Sequence, residues 1–301
     1  MKDEVAVRPI VDAHHHIWRL ADLPWLSGPP EPRIFGDYQA MRRDYLIDEY
    51  LAEARAAGVM KSVYVQTNWP PAQHLAEVAW VQSVADGRGF PHAIVGYADL
   101  SWPEVGAHLD AMRGHPNLRG IRQQLHWHRN ERYRFASRPD LMNDPGWRRG
   151  LAEVGRRGLI FELQVFADQM ADSARLARDH PHLSFVLMHA GMLEDRSVQG
   201  WAAWRRGMRG LAGCPNVFVK LSGLGTFEHR CAVDLWRPVI EETLGMFGSR
   251  RCMFGSNVPV EMLWASYADI IAVTGECLSY LSDAEQTHVW YDTAARVYQL
   301  D

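Results

Sequence analysis

From residue 11 onward, short apolar, β-branched stretches alternate with longer ones whose apolar positions recur at helical spacing. The first short stretch, "VDAHHHIW" (11–18), is followed by "RLADLPWLSGPPEPRIFGDYQAMRRDY" (19–45), which is polar, Pro-rich and too irregular to predict an element. "LIDEYLAEARAAG" (46–58) then reads as a helix stopped by Gly58. Seven more strand-like segments follow, each rich in β-branched or aromatic residues: 61–67, 92–100, 118–127, 159–166, 183–191, 216–224 and 251–259. A helical stretch comes after each, such as "AQHLAEVAWVQSVAD" (72–86), and a helical pair closes the chain. Strict alternation means parallel strands joined by crossovers. Eight repeats over this length predict an α/β fold, a single (β/α)8 TIM barrel. A doubly wound sheet usually carries G-x-G-x-x-G after its first strand, and none follows Trp18. With no linker or shift in composition, the expectation is one domain over residues 1–301.

Composition narrows the function more than the fold. At 301 residues and 47% hydrophobic, the chain can bury a large core. A net charge of −4 without a basic run argues against nucleic acid or an acidic membrane as partner. Cys214, Cys231, Cys252 and Cys277 form no C-x-x-C pair, so they read as free thiols in a reducing compartment. "MKDEVAVRPI" lacks the apolar run of a signal peptide, and no segment has the roughly 18 apolar residues of a membrane span. The expectation is a soluble cytoplasmic protein acting on a small molecule, with a homo-oligomer left open.

Barrel enzymes place their chemistry where strands end. Those ends carry His14 and His16, Gln66, Asp99, Arg122, Gln124 and His126, Glu162 and Gln164, His189, Lys220 and Ser222, and Asn257. A core strand needs no Arg, Lys or His, because a buried charge costs several kcal/mol unless paired. Alternate residues of a strand share a face, so His14 and His16 are expected together above Asp12, with His15 turned away. Arg122 has the planar fork that grips a carboxylate. "HWHRN" (126–130) offers a polar lid, and Lys220 either holds a substrate oxygen or pairs with Asp12 or Glu162. Trp18, Trp25, Trp69 and Trp127, just past strand ends, suit either pocket walls or loop packing.

"VDAHHHIW", "VLMHAG", "NVFVKLSGL" and "RCMFGSNVPVE", one to a strand and in this order, resemble the amidohydrolase superfamily. They are most similar to its amidohydrolase-related branch, which holds 2-pyrone-4,6-dicarboxylate lactonase and sugar-acid lactonases. The closing "DTAARVYQL" extends the likeness to the end of the chain. The resemblance implies a barrel whose His14, His16 and His189 are catalytic and bind a divalent metal, zinc above all. It implies hydrolysis of a lactone; the strand ends add Arg122 as the grip for a substrate carboxylate, with Gln66, His126 and Lys220 also toward substrate. Most of the superfamily ends its last strand in an aspartate that ligands metal and takes a proton; here Asn257 stands in that place, and an amide accepts no proton at neutral pH. Three imidazoles with an open position still suffice to hold zinc and activate water. Glu261, four residues on, is either a replacement base or an ordinary acid at a helix start. Two rival readings remain: a non-oxidative decarboxylase of an aromatic or unsaturated acid, and a catalytically impaired ligand-binding homologue.

Overall fold

The computed structural model describes residues 8–300. Most of the N-terminal stretch inspected for a signal peptide lies outside them, as does Asp301. Eight parallel strands follow one another in a single sheet: β1 (Ile10–His15), β2 (Val59–Val65), β3 (Ala93–Gly96), β4 (Leu118–Arg122), β5 (Ile160–Leu163), β6 (Phe185–Leu187), β7 (Val217–Leu221) and β8 (Cys252–Phe254). The barrel closes just past β8. There His15 bridges Val258 in parallel, and the backbone N–H of His16 donates to Val258 O at 2.8 Å. This is the (β/α)8 barrel the alternation predicts. Among the described residues, no helix is long and apolar enough to cross a membrane.

Strand parity sorts the core into two parts. Val63, Val65, Val95, Val186, Phe218 and Met253 point into the lumen, where branched and bulky side chains fill the space. Tyr64, Ile94, Phe161, Phe185, Val219 and Phe254 point outward to the helices. The lower lumen is closed by the last helical turn, Thr293–Tyr298, which sends Val297 and Tyr298 into it. Above this layer, at the C-terminal ends of the strands, lies a cavity.

Residues 19–45, read as irregular, hold three short elements: a 3-10 turn Leu20–Asp22, a helical turn Pro24–Ser27 and a second 3-10 turn Gln39–Met41. Pro24 begins the helical turn, the position where its missing N–H costs nothing. Pieces this short carry no periodicity for a sequence reading to detect.

Candidate active site

The site begins with an irregularity in β1. Its register against β2 shifts between Asp12 and His15, so that Val11 and Ala13 fill the lumen while His14 also faces inward. The expectation that Asp12 lies beneath His14 and His16 on one face is therefore wrong. A bulge adds one residue and inverts the alternation beyond it. Asp12 points outward instead, accepting from Ser256 N at 2.9 Å, Ser256 Oγ at 2.6 Å, Tyr267 Oη at 3.0 Å and Tyr50 Oη at 3.1 Å. It clamps β1 to the end of β8 and to two outer helices. His15 also faces outward, stacked on Tyr50 with centroids 3.9 Å apart and bonded to Ser62 Oγ at 3.0 Å.

His14 and His16 face each other, with their Nε2 atoms 3.3 Å apart. His16 Nδ1 donates to Val65 O at 2.7 Å, which leaves the Nε2 lone pair free. His189 packs its ring against His14, centroids 4.9 Å apart, and meets Ser222 Oγ at 3.0 Å through Nδ1. Burial, with Arg122 and Lys220 nearby, holds all three imidazoles neutral; for His16 the pKa falls to about 3. Two glycines make room: a Cβ on Gly223 would stand 2.5 Å from His189 Nδ1, and one on Gly255 2.7 Å from His14 Cβ. His189 and Asn257 both hold left-handed backbone (φ 52° and 57°), a conformation that concentrates at functional sites.

Two ligands bound about 2.0–2.1 Å from a tetrahedral zinc stand about 3.3 Å from each other. The neutral His14–His16 pair fits that requirement in spacing and in donor chemistry. No group of three or more His, Cys, Asp or Glu side chains is assembled for a metal among the described residues, so His189 adjoins the pair without completing a set.

Asn257 donates its amide NH2 to Glu261 Oε2 at 3.3 Å, and its backbone N–H reaches His14 O at 2.7 Å. Glu261 is fully buried; its Oε1 accepts from Gly225 N at 2.8 Å and Trp264 Nε1 at 3.3 Å. Burial raises its pKa to about 7. Glu261 stands behind Asn257 and does not line the cavity, so its contact with the site runs through the amide.

A cavity of about 940 Å³, open mouth included, lies over this floor. His16, Gln66, Arg122, His126, His189 and Asn257 line it; His14 and Lys220 do not. Arg122 is 4% exposed, donates to Gln66 O, and makes no ion pair among the described residues. Burial lowers its pKa to about 10, still well above neutral. Gln66 Oε1 accepts from Asn68 N at 2.6 Å, leaving its Nε2 buried without a partner. His126 is neutral by burial, with a pKa of about 3. Of the two roles open to Lys220, the geometry is that of the ion pair. Its Nζ lies 2.5 Å from Glu162 Oε1, which also accepts from Tyr298 Oη at 2.5 Å, all fully buried below the histidines.

Of the four tryptophans, Trp18 and Trp25 line the cavity, whereas Trp69 packs on Trp80 and Trp127 lies under Arg134. The roof is built from residues the sequence reading passed over: Arg33 and Phe35 after β1, Arg132 to Phe135 after β4, and Phe227 after β7. The only hint of them is a Pro-rich stretch and an Arg/Tyr/Phe-rich one, and nothing in their spacing shows that both fold over one opening.

A sequence model described as amidohydrolase matches residues 11–300. The chain is 39% identical to an uncharacterized protein, y4mH, of Sinorhizobium fredii, over 97% of this chain and 98% of that one. It is 31% identical to an L-fucono-1,5-lactonase of Burkholderia multivorans, over 96% of each. A crystal structure of an amidohydrolase from Burkholderia multivorans with bound zinc superposes with a TM-score of 0.82 at 30% identity, covering 97% of this chain and 99% of the other. A histidine pair at the mouth of an eight-stranded barrel, matched along nearly the whole chain, places this hydrolase in the amidohydrolase family.

Proposed function

We propose that this protein hydrolyses a carboxylated lactone, adding water across the cyclic ester to give the open hydroxy acid. One observation carries the reading: Arg122 is a buried guanidinium in the cavity lining, and among the described residues no carboxylate stands in salt-bridge contact with it. Leaving a buried charge unpaired costs several kcal/mol, and a substrate carboxylate on its fork offsets that cost through two parallel charge-assisted bonds. The similarity to an L-fucono-1,5-lactonase supports ring-opening hydrolysis as the reaction class.

Arg122 orients the substrate so that its ester carbonyl faces the histidines. Gln66 Nε2 supplies a free donor to a substrate oxygen. His14 and His16, with His189 beside them, are the residues that would hold a divalent metal, and the zinc in the related crystal structure favours that ion. Such a metal, when bound, polarises the carbonyl and lowers the pKa of water to about 7. Asn257 takes no proton at neutral pH; its role is to hold His14 through the backbone and to pass Glu261's position to the site wall. Lys220 and Glu162 support the histidine layer from below and stay out of contact with substrate.

The test is a panel of carboxylated and neutral lactones, followed by ring opening and by CO2 release, with protein purified without chelator. Ring opening without CO2, together with zinc that dialysis against a chelator removes along with activity, is the expected result. CO2 release would replace hydrolysis by decarboxylation, and activity indifferent to the chelator would leave the imidazoles to act directly. Arg122→Lys, which keeps the charge and loses the fork, should cut kcat/KM on the carboxylated lactone tenfold or more, since each charge-assisted bond is worth about 1.5–3 kcal/mol. A change under twofold would assign Arg122 to the fold.

A further inference from the structure

The cavity is more cationic than one carboxylate requires. Among the described residues four arginines line it, and no aspartate or glutamate does. Arg122 forms part of the floor, while Arg33 comes from the loop after β1, and Arg132 and Arg134 come from the loop after β4. Arg33 lies over the Trp25 ring, 5.4 Å from its centroid, and its Nε is buried without a partner. Its one acidic neighbour is Glu31 at 3.5 Å, with a side chain 73% exposed. Arg134 lies over Trp127 at 4.8 Å and donates through Nε to His128 O at 3.2 Å and through Nη2 to Arg129 O at 3.4 Å; its acidic neighbour Glu131, at 3.6 Å, is 86% exposed. Arg132 makes no ion pair among the described residues. Exposed pairs at such distances contribute about 1 kcal/mol or less, so they do not neutralise the mouth.

The loops that bring these cations together are otherwise apolar where they meet the cavity. Trp25 and Phe35 face each other across 6.3 Å, and Tyr133 and Phe227 across 5.5 Å. The cavity thus has one cationic end at Arg122, beside the neutral histidines, an aromatic throat, and a second cationic end at the mouth. Cations brought together from two separate loops repel one another, and an anion seated among them turns that repulsion into attraction.

We propose that the mouth is a second anion subsite: the substrate carries, beyond the carboxylate on Arg122, a further anionic group bound by Arg33, Arg132 and Arg134 across the aromatic throat. This rests on the reading of Arg122 as the carboxylate grip. The second anion is a carboxylate or a phosphate, since the guanidinium fork recognises both.

Calorimetric titration of the full chain with straight-chain monocarboxylates, α,ω-dicarboxylates and ω-phosphonocarboxylates of four to nine carbons tests this without needing turnover. At one chain length the doubly anionic probe should bind at least tenfold more tightly than the monocarboxylate, and the better of the two doubly anionic series identifies the second group. Arg33→Gln, Arg132→Gln and Arg134→Gln should each shrink that ratio, and the triple variant should bring it close to one. A wild-type ratio below two at every length, or a ratio that survives in the triple variant, overturns the subsite. Lactone hydrolysis without the ratio removes the subsite alone, and the ratio without hydrolysis removes only the lactonase reading.

Discussion

Asn257 and Glu261 form a pair whose chemistry depends on one of them being an amide. The NH2 of Asn257 donates to Glu261 Oε2 at 3.3 Å. Asn257→Asp would set two carboxylates at that distance in a buried place, where like charges cannot both ionise. The variant should unfold several degrees lower than wild type at pH 8 and lose hydrolysis. Asn257→Asp combined with Glu261→Gln should recover the thermal loss. A rise in hydrolysis of 10²–10⁴-fold, the usual contribution of a general base, would instead show that the amide occupies the place of a missing base. Glu261 alone yields a second expectation. Burial raises its pKa from an ordinary 4.5 to about 7. Between those values the folded protein keeps a proton that the unfolded chain has released, so this group's contribution to stability is complete below pH 4.5 and is lost as the pH rises through about 7. The full swing is worth up to about 3 kcal/mol. The melting temperature of Glu261→Gln should therefore fall less than that of wild type between pH 5 and pH 8, and parallel curves would show that Glu261 does not titrate there.

At the scale of elements, the strands were legible because eight parallel segments repeat one signal, and their polar ends stand out against apolar neighbours. Their facing was legible only where the pleat is regular. The bulge in β1 moved Asp12 to the outside while leaving His14 and His16 together. No residue type between Asp12 and His15 announces a bulge; only pairing with β2 reveals it. The sequence does not choose between Asp12 and Glu162 as the partner of Lys220 for the same reason, since removing Asp12 from the lumen leaves Glu162. Tyr298, which reaches Glu162 from the final helix, belongs to an element whose docking depends on the closed barrel and not on local spacing. The Lys220–Glu162–Tyr298 cluster should behave as a buried ion pair does. Lys220→Met, which strands Glu162 as an unpaired buried charge, should cost about 3–5 kcal/mol. Adding Glu162→Gln removes that charge and should recover a large part of the loss. Urea unfolding of the single and double variants decides this, and additive losses would mean the two side chains stabilise the barrel independently.

Across the whole molecule the charge is slightly negative, −4, yet among the described residues the cavity lining carries four arginines and no carboxylate. The attraction for an anion is therefore local to the mouth, set against a surface that repels it at long range. Composition could not disclose this, because the arginines concerned are four among 32 basic residues and come together only when loops after β1 and β4 fold over the barrel. A local field at an open mouth is screened by salt: the Debye length falls from roughly 30 Å at 0.01 M to about 8 Å at 0.15 M. Raising the ionic strength over that range should lower kcat/KM for a carboxylated lactone severalfold through KM, with kcat little changed, because the carboxylate once bound is seated on Arg122 in the interior, where salt screens little. A neutral lactone opened by the same site should show no such dependence, which separates steering from a general effect of salt on the enzyme. The dependence should also flatten in Arg132→Gln, which removes a rim charge and leaves the floor intact. If both lactones respond alike, or if kcat carries the effect, the arginines at the mouth do not guide substrate and their charge serves the loops that bear them.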